Sequence, residues 1–151
     1  MKEFRTTEDI LDFAINSEQE SADFYTKLAA EAKNKEMQDI FKNYANEELE
    51  HKEKIIKIRE DGEFTLPVGK ITDLKIDDYL VDVNASPDIS YQDALILAMN
   101  KEKAAFRLYL ALSGKAEDPD MKQLFLSLAQ EESKHKLRFE IEYDECILRE
   151  N

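Results

Sequence analysis

Residues 9 to 61 of this chain align with residues 93 to 145 at a constant offset of 84, without a gap, and fifteen of the 53 aligned pairs are identical. Among the identities are Leu11/Leu95, Ala14/Ala98, Glu18/Glu102, Tyr25/Tyr109, Leu28/Leu112, Met37/Met121, Phe41/Phe125, Glu47/Glu131, Glu48/Glu132 and His51/His135, so both histidines of the chain belong to the repeat. A duplicated unit of this size is one supersecondary element that cannot bury its apolar face alone, so the two copies must pack on each other. No other feature constrains the fold as strongly.

Each copy has room for two helices, and the punctuation divides it accordingly. Thr6 or Thr7 caps the first helix, with Glu8 and Asp9 in its first turn; Asn34 marks a break, and Gly62 ends the second helix. In the second copy Ser90, followed by Asp93, caps a third helix, Gly114 lies where that helix should stop, and Asp118-Pro119 opens a fourth. Between the copies, residues 62 to 89 carry two of the three glycines and two of the three prolines, Pro67 and Pro87, in a stretch too long for a tight turn. This is a crossover, and Ile71 to Leu80 is expected to form a short helix within it. Two hairpins joined by one long crossover predict an all-α, ferritin-like four-helix bundle. At 151 residues, with 36% charged residues, three glycines and no tryptophan, the composition agrees with one helical domain spanning residues 1 to 151.

Read every third or fourth residue, the first helix presents Leu11, Ala14, Glu18, Ser21, Tyr25, Leu28 and Ala32, a core-facing seam interrupted by one acid. The third presents Leu95, Ala98, Glu102, Ala105, Tyr109, Leu112 and Ala116, with its acid at the same point. On the second helix the seam is Met37, Phe41, Tyr44, Glu48, His51, Ile55 and Ile58; on the fourth it is Met121, Phe125, Leu128, Glu132, His135 and Phe139. A Glu-x-x-His spacing puts both side chains on one face about one turn apart. Six polar groups therefore converge at mid-bundle. Four unpaired buried carboxylates would cost many kcal/mol or be forced to hold protons, whereas two divalent cations cancel four negative charges. The mixed oxygen and nitrogen donor set suits two iron ions, and the same donors accept manganese or zinc.

Other repeated residues carry weaker signals. Glu47 and Glu131 lie one position off the seam, and the spacing directs them to a helix neighbour or to solvent rather than to a metal. Tyr25 and Tyr109 lie seven residues beyond Glu18 and Glu102, roughly 10 Å along the same stripe, where they serve either as core filler or as donors to a ligating glutamate on a partner helix. Phe24, Phe41, Met37, Phe106, Met121 and Phe125 read as core.

With Glu18 and Tyr25 in EQESADFY, Glu48 and His51 in EELEH, Glu102 and Tyr109 in EKAAFRLY, and Glu132 and His135 in EESKH, the chain resembles rubrerythrins of the ferritin-like superfamily over nearly its whole length. The resemblance implies that Glu18, Glu48, His51, Glu102, Glu132 and His135 bind a di-iron centre in a homodimeric oxidoreductase that reduces hydrogen peroxide. Two departures stand out. Rubrerythrins resembling this chain usually carry a further glutamate three residues after the third-helix ligand, where this chain has Ala105. Many also carry a four-cysteine rubredoxin domain, whereas the single Cys146 allows neither such a site nor an internal disulfide here. Electrons are then expected from a separate donor protein such as a rubredoxin. Two other functions fit the same residues: a di-iron oxygenase, which needs an organic-substrate pocket near Ser21 and Ala105, and a non-catalytic iron-handling or structural metal protein.

The formal net charge of -13 argues against a nucleic-acid surface and against a polybasic membrane patch. No apolar run approaches the roughly 20 residues of a membrane span, and MKEFRTTEDI lacks the apolar stretch of a signal peptide. The protein therefore reads as cytoplasmic, and the sequon Asn84-Ala85-Ser86 is expected to be unused.

Overall fold

The structure, a computed structural model, describes residues 3 to 81 and 89 to 150. Four long helices make up the body: α1 (Thr7–Glu31), α2 (Lys35–Asp61), α4 (Tyr91–Lys115) and α5 (Pro119–Glu150); a short α3 (Val68–Thr72) and a 3-10 turn at Ile76–Asp78 lie between α2 and α4. The sequon Asn84-Ala85-Ser86 and Pro87 fall outside the described residues.

Local chemistry sets most boundaries. The Thr6 hydroxyl accepts from the Asp9 amide at 3.1 Å while the Asp9 carboxylate accepts from the Thr6 amide at 3.1 Å, a reciprocal cap that places the start at Thr6 rather than Thr7. Asn34 accepts from the Met37 amide at 2.8 Å, and Ser90 accepts from the Asp93 amide at 3.1 Å. Gly62 ends α2 at φ 64°, a left-handed turn open to glycine without steric cost. Gly114, by contrast, does not stop its helix: it has no positive φ, and helical bonding continues until the Ala116 amide meets the Leu112 carbonyl at 2.9 Å. The expected crossover helix over Ile71 to Leu80 is also corrected. Pro67 is preset for a helix start, so the turn forms earlier, from Val68, and is over by Asp73.

α1 packs on α2, α4 packs on α5, and the hairpins meet along α1 and α4. Two apolar clusters fill the interior. One gathers Leu11, Ile55, Ile58, Leu112, Met121 and Phe125; the other gathers Leu28, Met37, Phe41, Leu95, Ala98 and Phe139. The start of α1 thus shares a cluster with the ends of α2 and α4, which makes both pairs antiparallel. It also explains the crossover, since α2 ends at one pole of the bundle and α4 begins at the other. Phe64, Ile71, Leu74 and Ile76 are buried as the crossover passes the first cluster. Leu66 is tied to the start of α1 by its amide, which donates to the Thr7 hydroxyl at 2.9 Å.

The seams are buried nearly as read. Tyr44 is only partly covered and Ala45 takes the buried place beside it, while Phe24 and Phe106 flank the clusters rather than fill them. Among the described residues no helix is long and apolar enough to cross a membrane.

Candidate metal centre

The level between the two apolar clusters is polar. α1 brings Glu18 to it, α4 brings Glu102, α2 brings Glu48 and His51, and α5 brings Glu132 and His135. None of the six is more than 3% exposed. Glu18, Glu48, His51 and Glu132 each offer one donor atom within 4.8 Å of the others, and Glu48, Glu102, Glu132 and His135 form a second such quartet. Glu48 and Glu132 belong to both, so they lie where a carboxylate can bridge two ions. The His51 Nδ1 is 2.9 Å from Glu132 Oε1 and 3.5 Å from Glu18 Oε2; the His135 Nδ1 is 3.1 Å from Glu48 Oε1 and 3.6 Å from Glu102 Oε1. The quartets follow the sequence repeat.

Seven buried atoms here make no hydrogen bond, because even the close Nδ1–carboxylate approaches lack bonding geometry: Glu18 Oε2, both Glu48 oxygens, Glu102 Oε2, Glu132 Oε1 and the Nδ1 of each histidine. An orphaned buried polar atom costs about 1–3 kcal/mol, more when charged, so a group of seven needs a physical reason. Burial first, and then the neighbouring carboxylates, push Glu48 and Glu132 well above the usual carboxylate range. Burial pulls the His135 imidazole down, but the Glu102 and Glu48 carboxylates outweigh it and raise the group to about 10. His51 is raised against the same opposition by Glu18 and Glu131. The metal-free site therefore attracts protons to offset its charge. Two divalent cations would offset it fully and give the seven atoms partners, so the residues present fit a two-metal centre.

Glu47 and Glu131 turn to a helix neighbour, one of the two directions their spacing allowed, and the structure identifies what they meet there. Both side chains are nearly half exposed, yet each carboxylate reaches the histidine of the other hairpin: Glu47 meets His135 Nε2 at 2.7 Å, and Glu131 contacts His51 Nε2. An ionised carboxylate only accepts, so Nε2 carries a proton, and a cation that displaces the second proton from Nδ1 meets a lone pair already facing the cluster, the form a metal requires. Helical spacing missed this because a glutamate one position off the seam can still curl around the helix edge. Their presence among the repeat identities was the available signal.

Of the two roles open to the tyrosines, the geometry gives the donor. The Tyr25 hydroxyl donates to Glu102 and the Tyr109 hydroxyl to Glu18, each across to the other hairpin. Burial, reinforced by the adjacent carboxylates, pushes both phenols far up, so they stay protonated donors. One feature departs from the two-fold pattern: the Tyr44 ring stacks on His135 with centroids 3.9 Å apart, whereas the repeat places Leu128 at the equivalent position. Ser21 and Ala105, one turn beyond Glu18 and Glu102, line a cavity of about 270 Å³ that reaches Glu18 and Tyr109.

No curated protein and no solved structure matches the chain. The family model described as Rubrerythrin matches residues 9–81 and 93–151, which span both copies of the repeat and all eight carboxylate and imidazole residues named above. With the match covering both halves of the bundle and the whole of its polar centre, the chain belongs to the rubrerythrin family.

Proposed function

We propose that this chain holds two iron ions and reduces hydrogen peroxide to water, using electrons returned by a separate donor protein. The observation that carries the reading is the set of seven partnerless donor atoms, two of them imidazole nitrogens, turned toward one buried space. Glu18 and His51 would close one coordination sphere, Glu102 and His135 the other, and Glu48 and Glu132 would be common to both. Bound iron supplies two electrons and Lewis acidity at the peroxide bond.

The chain's own residues do the rest. Glu47 and Glu131 keep Nε2 protonated on His135 and His51, which fixes ring orientation and strengthens the Nδ1 donors. Tyr25 and Tyr109 hold Glu102 and Glu18 by one oxygen each, leaving the second oxygen of each carboxylate turned to the centre. The same hydroxyls keep protons within reach of the site. Above and below, Phe41, Phe139, Ile55 and Leu11 keep water out, which strengthens every electrostatic interaction between the clusters.

The test is the oxidation of anaerobic ferrous protein, followed by stopped-flow absorbance. Stoichiometric peroxide should oxidise the centre faster than dioxygen at the same concentration. Oxidation by peroxide no faster than by dioxygen defeats the proposal. Uptake of iron far beyond two per chain would assign the chain to iron handling instead.

A further inference from the structure

The peroxide reading leaves the cavity beside Glu18 unexplained. Its volume is about 270 Å³, many times the roughly 10–15 Å³ of such space that a single water occupies. Hydrogen peroxide needs no chamber several times its own size. Nor does it need a largely apolar one: Phe13, Ala14, Ala104, Ala105 and Leu108 line the space between α1 and α4, and Leu80 and Val81 of the crossover lie against it. Asn16, Ser17, Glu20 and Lys101 add polar lining, and Glu18, with the Tyr109 hydroxyl donating to it, joins the cavity to the metal centre. A cavity more apolar than polar, with polar side chains placed among the apolar ones, is the form of a site for a small organic molecule. The sequence keeps it open through two small side chains, Ser21 and Ala105, which occupy equivalent positions in the repeat on facing helices.

We propose that this cavity seats the carbon group of an organic hydroperoxide, with its peroxide end directed to the Glu18 side of the centre, and that the chain reduces such hydroperoxides as well as hydrogen peroxide. The proposal rests on the peroxide-reducing reading above. In the reaction the O–O bond of R–O–O–H breaks and takes up two electrons, one from each ferrous ion. Two protons complete the products, an alcohol R–OH and water, and the external donor returns the two electrons. The cavity supplies what the metals cannot, a preference for the carbon group.

Two measurements test this, one of them independent of redox chemistry. The zinc-loaded protein, which cannot turn over, is titrated with 2-phenylpropan-2-ol, the alcohol product of cumene hydroperoxide, and followed by amide NMR. Saturable shifts are expected at Ser21, Ala105 and Leu108, and they should be lost in Ala105→Leu and in Ser21→Leu, either of which fills the chamber. Helical content by circular dichroism shows which variant has folded. In parallel, anaerobic ferrous protein is mixed with cumene hydroperoxide or with hydrogen peroxide. Wild type should be oxidised by both, and the ratio of the cumene hydroperoxide rate to the hydrogen peroxide rate should fall at least roughly tenfold in the folded variant, the scale on which a pocket discriminates by size. Absence of saturable shifts in the wild type overturns the proposal. So does oxidation by hydrogen peroxide alone, which leaves the peroxide reading intact; oxidation by neither peroxide defeats both, whether or not the alcohol binds.

Discussion

Replacing Glu48 by glutamine should stabilise the metal-free protein while abolishing its metal site. Glu48 belongs to both quartets, is buried, and has two oxygens without partners. Two unit charges at the 4.8 Å limit of these quartets repel by roughly 3.5 kcal/mol at an effective dielectric of about 20. Protons taken up by Glu48 and Glu132 already relieve much of this, as their raised pKa values indicate. The amide removes the rest and can donate to a neighbouring carboxylate, for a net gain of about 1–3 kcal/mol. For a chain of this size that corresponds to a rise of about 2 to 12 °C in the melting temperature. Thermal melts followed by circular dichroism, on protein stripped with chelator, give the comparison; a repeat after adding ferrous ion under anaerobic conditions should stabilise the wild type alone. A metal-free Glu48→Gln variant that melts at or below the wild type would refute the electrostatic reasoning, and one that retains two metals would refute the assignment of Glu48.

Glu47→Ala and Glu131→Ala should each weaken metal binding by about 10- to 100-fold without removing a ligand, because the imidazole loses the group that fixes its proton and its orientation; competition with a chromophoric chelator measures this, and unchanged affinity in both would show the contacts to be incidental. The metal-free protein should lose stability as pH rises. Glu48, Glu132 and His135 bind protons more tightly folded than unfolded, so their contribution is complete below the unfolded values and is lost on the way up, for His135 between 6.5 and about 10. Metal displaces those protons, so the gap in melting temperature between loaded and metal-free protein should widen from about pH 5 to about pH 8; a gap that narrows contradicts the scheme.

Much of this was written in the sequence because the repeat and the helical period act together. The first-helix seam from Leu11 to Ala32 is buried residue for residue, and the acids and imidazoles on the four seams meet at one level. What spacing could not supply was reach and context. Glu47 and Glu131 sit off the seam, yet a side chain of that length still bends to the neighbouring hairpin's histidine. α3 has five residues, too few for a periodic pattern to register, so only Pro67 marked its start. Gly114 looked like a stop, but a glycine ends a helix through a left-handed turn, which Gly62 makes and Gly114 does not. The cavity depends on the gap between α1 and α4, which small residues at Ser21 and Ala105 permit but do not by themselves announce.

The central claim, two metals bound between the six buried carboxylates and imidazoles, is tested most directly by metal analysis of protein purified anaerobically, with Glu48→Ala and His135→Ala beside it. The account predicts two irons per chain in the wild type and their loss in both variants. Fewer than one metal of any kind per wild-type chain would contradict it.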